Sequence, residues 1–207
     1  MALLSSLVLG ACSVVGVRSG TEEPAFTILG RAGAVEIRQY AARAAAETTV
    51  DGPELAARGE GFQRLAGYIF GRNAGAAKIG MTAPVAQSTT TAQKIAMTAP
   101  VAQDGSVIRF FLPASLTVQS APRPLDDRIR IVTVPAETVA VLRYDGSTRP
   151  EAVAEQQARL MTALAGSPYQ ADGVPFSWFY DPPWTLPPFR RNEAVVRLRP
   201  LNGGGTE

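Results

Sequence analysis

Apolar residues recur at intervals of three and four positions in a stretch within the first third of the chain. The members of this stripe are Phe62, Leu65, Ala66 and Ile69. Such spacing places the side chains on one face of an α-helix, so the pattern predicts an amphipathic helix. Asp51 is the predicted N-cap, Pro53 falls in the first turn and Glu54 stands at the capping-box position. Gly71 is predicted to end the helix.

A second helical stripe lies in the last third of the chain. Its members are Val153, Leu160, Met161 and Leu164. The order Thr148-x-x-Glu151 has the form of a capping box, and Pro150 lies inside the predicted first turn. Gly166 is predicted to end this helix.

Strand-like runs flank both helices. The predicted strands are Ala34–Tyr40, Arg43–Val50, Ser106–Leu112, Arg128–Val134, Thr138–Tyr144, Val174–Tyr180 and Ala194–Leu198. The chain therefore reads as strand–strand–helix–strand–strand, twice over. Short connections and an excess of strands predict an antiparallel α+β fold. Two such halves could pair their sheets into a closed or nearly closed barrel without free edges.

A ten-residue segment occurs twice, as KIGMTAPVAQ at 78–87 and KIAMTAPVAQ at 94–103. Two copies with a period of 16 residues are too few and too short for a solenoid. Pro84 and Pro100 oppose a helix, so the copies are predicted to form a β-hairpin with Met81 and Met97 facing inward. The two methionines could line a ligand pocket or fill the core. The lysine that opens each copy could bind an anion or face solvent.

The N-terminal segment MALLSSLVLGAC resembles a bacterial lipoprotein signal. Its apolar run is too short to span a bilayer but has the length of a signal-peptide core. Leu9-Gly10-Ala11-Cys12 matches the cleavage site at which a cysteine thiol receives the lipid. The alternatives are a signal cleaved elsewhere or a buried strand with Cys12 as a small apolar residue. We expect a signal peptide over 1–11, a tether over 12–24, one domain over 25–200 and a flexible tail over 201–207.

The residue inventory excludes several kinds of site. The 207 residues include no His and one Cys, which removes His- and Cys-based zinc sites, His ligation of heme iron and Ser–His or Cys–His catalysis. Neither a Gly-rich phosphate loop nor a GxSxG motif occurs. A net charge of +2 without a basic cluster gives no indication of nucleic-acid binding. We therefore expect a protein that is not an enzyme and does not bind nucleic acid.

Aromatic residues are concentrated in FSWFYDPPWTLPPFRRNE, residues 176–193. Six of the chain's 15 aromatic residues lie here between four prolines, which stiffen the backbone and hold the rings at little entropic cost. The segment could form one wall of a pocket for a flat apolar ligand, with Arg190 and Arg191 pairing with carboxylates. Alternatively it is a structural lid, in which one of these arginines pairs internally with Glu193.

Several stretches together resemble the SOUL family of heme-binding proteins. They are YIFGRN at 68–73, both copies of KI[GA]MTAPV, FFLP at 110–113, APRPLDDRI at 121–129, VAVLRYDG at 139–146 and YDPPWTLPPFRRNEAV at 180–195. The resemblance implies a pseudo-symmetric, distorted antiparallel β-barrel with two flanking α-helices. It also implies non-enzymatic binding of heme or a related tetrapyrrole in a shallow apolar groove between the first helix and the late loop.

Carried over to this sequence, the groove is assigned to the helix stripe and to three apolar residues of the loop. The apolar set is Phe62, Leu65, Ala66 and Ile69 with Trp184, Leu186 and Phe189. Basic residues near its rim, Arg64, Arg72 and Arg190, are the candidates to hold the propionates. Since His is absent, we expect weak iron ligation or none, with Met, Tyr or Lys as the remaining ligand types and Met81, Met97 and Tyr68 as weak candidates.

These expectations combine into one function. The chain is expected to be a lipid-anchored bacterial cell-envelope protein, attached through Cys12, that carries or buffers a tetrapyrrole by hydrophobic capture. The alternative is an interaction module that binds another amphipathic ligand or a protein partner.

Overall fold

The structure, a computed structural model, describes residues 21–89, 105–182 and 185–199. Within these ranges the chain forms nine β-strands and two α-helices. The strands are β1 Phe26–Ala32, β2 Val35–Tyr40, β3 Arg43–Asp51, β4 Val85–Thr89, β5 Gly105–Phe111, β6 Ile129–Val134, β7 Glu137–Asp145, β8 Ala171–Phe179 and β9 Arg191–Leu198. The helices are α1 Glu54–Ile69 and α2 Pro150–Ala165, and a short 3-10 helix spans Pro187–Phe189.

The chain divides into two compact units. The central unit comprises Arg43–Val134 with Thr21–Glu23, and the terminal unit comprises the described residues of Pro24–Ala42 and Pro135–Glu207. The strand order is β4-β5-β3-β6 in the central unit and β1-β2-β7-β9-β8 in the terminal unit, and the strand pairs within each are antiparallel. The predicted antiparallel α+β class is confirmed, whereas closure into a barrel stays a prediction.

The predicted duplication is present, but strands that are neighbours in the sheet are often not consecutive in sequence. Each unit contains strand–helix–strand–strand with the same neighbour order, β4-β5-β3 and β8-β9-β7. The fourth strand comes from the other half of the chain, because β2 pairs with β7 and β6 pairs with β3. β1 adds a further edge strand to the terminal unit and was not predicted.

Helix α1 packs its apolar stripe on β3 and β5 in the central unit. Leu65 and Ile69 are buried in one core cluster with Ile108 and Phe110 of β5, and Phe62 meets Phe110 with ring centroids 5.4 Å apart. Gly61 allows this close approach, since a Cβ at this position would lie 2.5 Å from Cγ1 of Ile108. The helix is thus held by a dense apolar contact.

Helix α2 covers the sheet of the terminal unit in the same way. Leu160 and Leu164 pack with Ile37 of β2, Ala140 of β7 and Val196 of β9. Val153 is also buried and Met161 packs against the cluster with part of its surface exposed. The predicted buried face of this helix is therefore confirmed.

The starts of both helices differ from prediction. Asp51 is the last residue of β3 and Pro53 precedes the helix, because Gly52 between them has a φ of 101° that turns the chain before the first helical residue. In α2, Arg149 rather than Thr148 is the N-cap, since Pro150 at the first helical position keeps the preceding residue extended. Neither N-cap makes a side-chain capping hydrogen bond.

Candidate functional site

The predicted helix face belongs to the core of the central unit. Leu65 and Ile69 are buried, with 0% and 2% of their surfaces exposed, whereas Phe62 and Ala66 pack at the core's margin and are partly exposed. The apolar spacing of this helix is thus explained by packing on the sheet. Contact of these four residues with a ligand stays a prediction.

The three predicted arginines differ in what surrounds them. The Arg64 side chain is largely buried and donates to Oγ1 of Thr48 at 2.6 Å, to the carbonyl of Thr49 at 3.2 Å and to the carboxylate of Glu60. Its donors are thus engaged with protein acceptors. Arg64 is poorly placed to bind a ligand carboxylate.

Arg72 lies exposed just beyond the end of α1. Its guanidinium covers Gly67, where a Cβ would lie 3.1 Å from both Cζ and Nε of the arginine. It makes no ion pair with any residue in the part of the chain that the structure describes. Of the three predicted cations, Arg72 is the best placed to receive a carboxylate from outside the protein.

The late loop is fixed at both ends. Oδ2 of Asp181 accepts the backbone N–H of Arg191 at 2.7 Å. Arg190 donates from Nε to the carbonyl of Thr185 at 2.7 Å and from Nη1 to Oγ1 of Thr148 at 3.3 Å. Arg190 thus holds the loop together, which was not predicted, and Thr148 serves this contact rather than a helix cap.

Two apolar side chains project from the fixed loop. Leu186 precedes the 3-10 helix and Phe189 ends it, and their surfaces are 49% and 48% exposed. Trp184, the third predicted loop residue, lies outside the described residues. Half-exposed apolar groups on a rigid backbone are suited to bind a flat apolar ligand.

A buried charged network lies beside this loop, at the start of β9. Both oxygens of Glu193 accept hydrogen bonds from Nη1 of Arg38, at 3.1 and 3.2 Å. Arg191 donates to Oε1 at 3.0 Å and Tyr180 donates to Oε2 at 2.7 Å. The internal pairing of Arg191 with Glu193, one of the two predicted alternatives, is confirmed, whereas Arg38 of β2 was missed.

The side chains of this network are almost entirely buried. The Glu193 side chain is fully buried and that of Arg38 is 5% exposed. Burial and the charge of Glu193 raise the pKa of Tyr180 well above its usual value. Burial acts to lower the pKa of Arg38, but the charge of Glu193 and hydrogen bonds to Tyr40 and Glu36 outweigh it and raise this pKa. With four hydrogen bonds from three donor groups, the Glu193 carboxylate has its hydrogen-bonding capacity filled, which identifies it as a structural group.

The first copy of the repeat is not the strand that was predicted. Residues 78–84 are irregular, and β4 begins only at Val85, after a cis peptide bond between Ala83 and Pro84. Ile79 is buried, but Met81 is 36% exposed rather than turned inward. The local cause is Asn73, whose side chain binds the carbonyls of Tyr68 and Ala77 and the N–H of Ala77, which shapes the turn into this segment. The second copy, with Met97, lies outside the described residues.

The two described candidates for iron ligation, Tyr68 and Met81, differ in their exposure to solvent. Tyr68 is fully buried, its hydroxyl donates to the carbonyl of Pro122 at 2.8 Å, and burial raises its pKa. A neutral, donating phenol in the core is a poor ligand, whereas the Met81 thioether is accessible. Among the described residues, no group of three or more His, Cys, Asp or Glu could hold a metal ion.

A comparison with protein-family models identifies the family of this chain. The model of the SOUL heme-binding protein family matches residues 21–197. The chain belongs to the SOUL heme-binding protein family. The match spans both units and agrees with the resemblance carried by the repeat and the late loop. A search of curated proteins finds no match to this SOUL-family chain.

Solved structures share its fold at low sequence identity. EcmrR in a complex with DNA has a TM-score of 0.57 at 11% identity, and the alignment covers 80% of this chain and 57% of EcmrR. An uncharacterized conserved protein from Listeria innocua has a TM-score of 0.54 at 9% identity, with coverage of 87% and 94%. A hydrolase from Listeria innocua has a TM-score of 0.52 at 8% identity, with coverage of 80% and 91%. Such identities establish the fold alone.

Proposed function

We propose that this SOUL-family protein binds heme or a related tetrapyrrole without catalysing a reaction on it. The observation that carries the proposal is the family match over residues 21–197. Because the chain contains no His, we propose that binding relies on apolar contact with the ring and on basic side chains for the carboxylates. The protein would then act as a carrier or buffer that accepts porphyrins with or without iron.

The described residues offer more groups that could contact the porphyrin ring and its carboxylates than groups that could ligate its iron. Leu186 and Phe189 offer half-exposed apolar surface on a fixed loop, and Arg72 offers an exposed guanidinium. A carboxylate on a guanidinium gains charge-assisted hydrogen bonds. Met81 is the one accessible candidate ligand that the described residues retain for the iron. Bound heme would supply a flat apolar surface for Leu186 and Phe189 to contact.

We propose binding rather than catalysis, although one structural neighbour is a hydrolase. His-dependent acid–base and nucleophilic chemistry is unavailable to this chain. Among the described residues two glutamates are buried, and arginines engage both. Glu47 pairs with Arg109 and Arg130, and Glu193 pairs with Arg38 and Arg191. Carboxylates held in this way do not offer a free base to a substrate.

The loop provides the test of the proposed site. Replacing Leu186 and Phe189 together with serine should weaken binding of hemin and of protoporphyrin by about tenfold or more, because each side chain would lose roughly 1 kcal/mol of apolar contact. Val174, 52% exposed on β8, provides a matched control, and Val174→Ser should leave both titrations unchanged. Equal affinity of the loop variant and the wild-type protein in an absorbance titration would exclude the loop from the site.

We also propose that the protein is anchored in the bacterial cell envelope through a lipid on Cys12. The support is the order Leu9-Gly10-Ala11-Cys12 after a short apolar run. No helix among the described residues is long and apolar enough to cross a membrane. Cell fractionation with a high-salt wash, which removes proteins held by charge alone, should show Cys12→Ser released from the membrane pellet and the wild type retained. A variant that still sediments with membranes as the wild type does would show that Cys12 is not the anchor.

A further inference from the structure

The central unit carries an amphipathic surface at the carboxyl end of α1. We call it the Phe70 surface, and its residues are Phe70, Arg72, Lys78, Met81, Arg123 and Leu125. Phe70 and Leu125 are each 64% exposed, and Met81 is 36% exposed. The three basic residues are exposed as well. Strongly exposed apolar side chains among cations indicate a contact surface rather than a solvated face.

Backbone hydrogen bonds bring the three segments of this surface together. The N–H of Leu125 donates to the carbonyl of Arg72 at 3.5 Å, and the N–H of Ala74 donates to the carbonyl of Arg123 at 2.8 Å. The N–H of Ile79 donates to the carbonyl of Ile69 at 2.8 Å, which fixes the segment of Lys78 and Met81 beside the end of α1. The surface therefore has a defined shape although it is assembled from separate stretches of sequence.

The charge of the surface is positive and available. Arg72, Lys78 and Arg123 make no ion pair within the described ranges. The nearby acidic groups are mostly engaged, since the carboxylate of Asp126 binds Arg128, and Oε1 of Glu22 accepts the N–H of Ala114 at 2.7 Å. Glu22 and Asp127 are exposed acidic residues, fewer than the three cations of the surface. The surface thus presents an excess of cations to a partner.

We propose that the Phe70 surface docks on an anionic phospholipid membrane. Its cations would face the headgroup phosphates, and Phe70 and Leu125 would enter the boundary between headgroups and acyl chains. The start of the described chain lies next to this surface, because Glu22 forms a β-bridge with Thr82, the residue that follows Met81. This position favours a membrane as the partner, since the lipid is proposed to be attached a short distance before it. Cys12 lies nine residues before Thr21, and a chain of this length spans at most about 30 Å. A lipid at Cys12 would therefore keep the Phe70 surface close to the bilayer.

Binding to vesicles without the lipid tests this proposal. The full chain carrying Cys12→Ser should sediment with vesicles of phosphatidylcholine and phosphatidylglycerol, bind pure phosphatidylcholine more weakly, and dissociate as salt is raised. Adding Arg72→Gln and Arg123→Gln should weaken binding to the anionic vesicles about 30-fold, from roughly 1 kcal/mol for each charge. The control Arg159→Gln with Arg199→Gln removes two exposed charges from the terminal unit and should have little effect.

Other outcomes would overturn the proposal. The proposal is wrong if the Cys12→Ser chain does not bind anionic vesicles. It is also wrong if Arg72→Gln/Arg123→Gln and Arg159→Gln/Arg199→Gln lose the same vesicle affinity. Circular dichroism of each variant separates unfolding from lost binding. If hemin binding is lost in the Arg72→Gln/Arg123→Gln variant while vesicle binding is retained, the surface is a tetrapyrrole site instead. Vesicle binding does not depend on the proposed tetrapyrrole function, so either proposal can fail alone.

Discussion

Replacing Glu193 with alanine is expected to lower the free energy of unfolding by about 3–5 kcal/mol. The substitution removes a fully buried carboxylate and leaves Arg38 and Arg191, whose side chains are 5% and 15% exposed, without this counter-ion. An uncompensated buried charge costs several kcal/mol, more than the net value of the intact pair. The hydroxyl of Tyr180 loses its acceptor as well. Urea denaturation followed by circular dichroism measures the change.

Glu36 provides the control for this prediction. It also pairs with Arg38, at 2.8 Å, but it is 23% exposed and its second partner, Arg31, is 63% exposed. Solvent can replace most of its contacts, so Glu36→Ala should cost no more than about 1 kcal/mol. Similar losses in the two variants would show that burial does not determine the strength of the network.

The second large effect is expected at Gly61 of α1. An alanine Cβ there would lie 2.5 Å from Cγ1 and 2.8 Å from Cβ of Ile108, a branched core residue that cannot move aside freely. Overpacking of this kind should destabilise the protein by about 1–3 kcal/mol, despite the better helix propensity of alanine. The same denaturation measurement reports the loss.

Gly59, two residues earlier in the same helix, is the matched control. It is exposed, and a Cβ added there would meet nothing within 4 Å. Gly59→Ala should therefore stabilise the protein by up to about 1 kcal/mol through helix propensity alone. A stabilising Gly61→Ala would contradict the described packing of α1 on β5.

The local pattern predicted most of the secondary structure. Alternation and short apolar runs located seven of the strands, and the stripe from Phe62 to Ile69 located α1 together with the face that it buries. β1 was missed because Phe26, Ile28 and Leu29 do not alternate and are all substantially exposed. The irregular course of 78–84 was missed because the repeat does not reveal the turn that precedes it, which the Asn73 side chain holds by donating to the carbonyl of Tyr68 and accepting from the N–H of Ala77.

Long-range pairing was beyond the local pattern. Arg38 and Glu193 are 155 residues apart in sequence. They meet because β2 pairs with β7, which in turn pairs with β9. The sequence of β2, VEIRQY, places Arg38 where an alternating pattern predicts a solvent-facing side chain, so no local signal marked it as buried. The candidate site shows the same limit, because Arg64, Arg72 and Arg190 look alike in sequence but differ in burial and in their acceptors.

Titration of the purified full chain with hemin, and separately with protoporphyrin, tests the central claim most directly. We expect a saturable shift of the Soret band at micromolar hemin and binding of protoporphyrin with similar affinity, since His ligation of iron is impossible for this chain. The absence of a saturable spectral change with either compound would contradict tetrapyrrole binding.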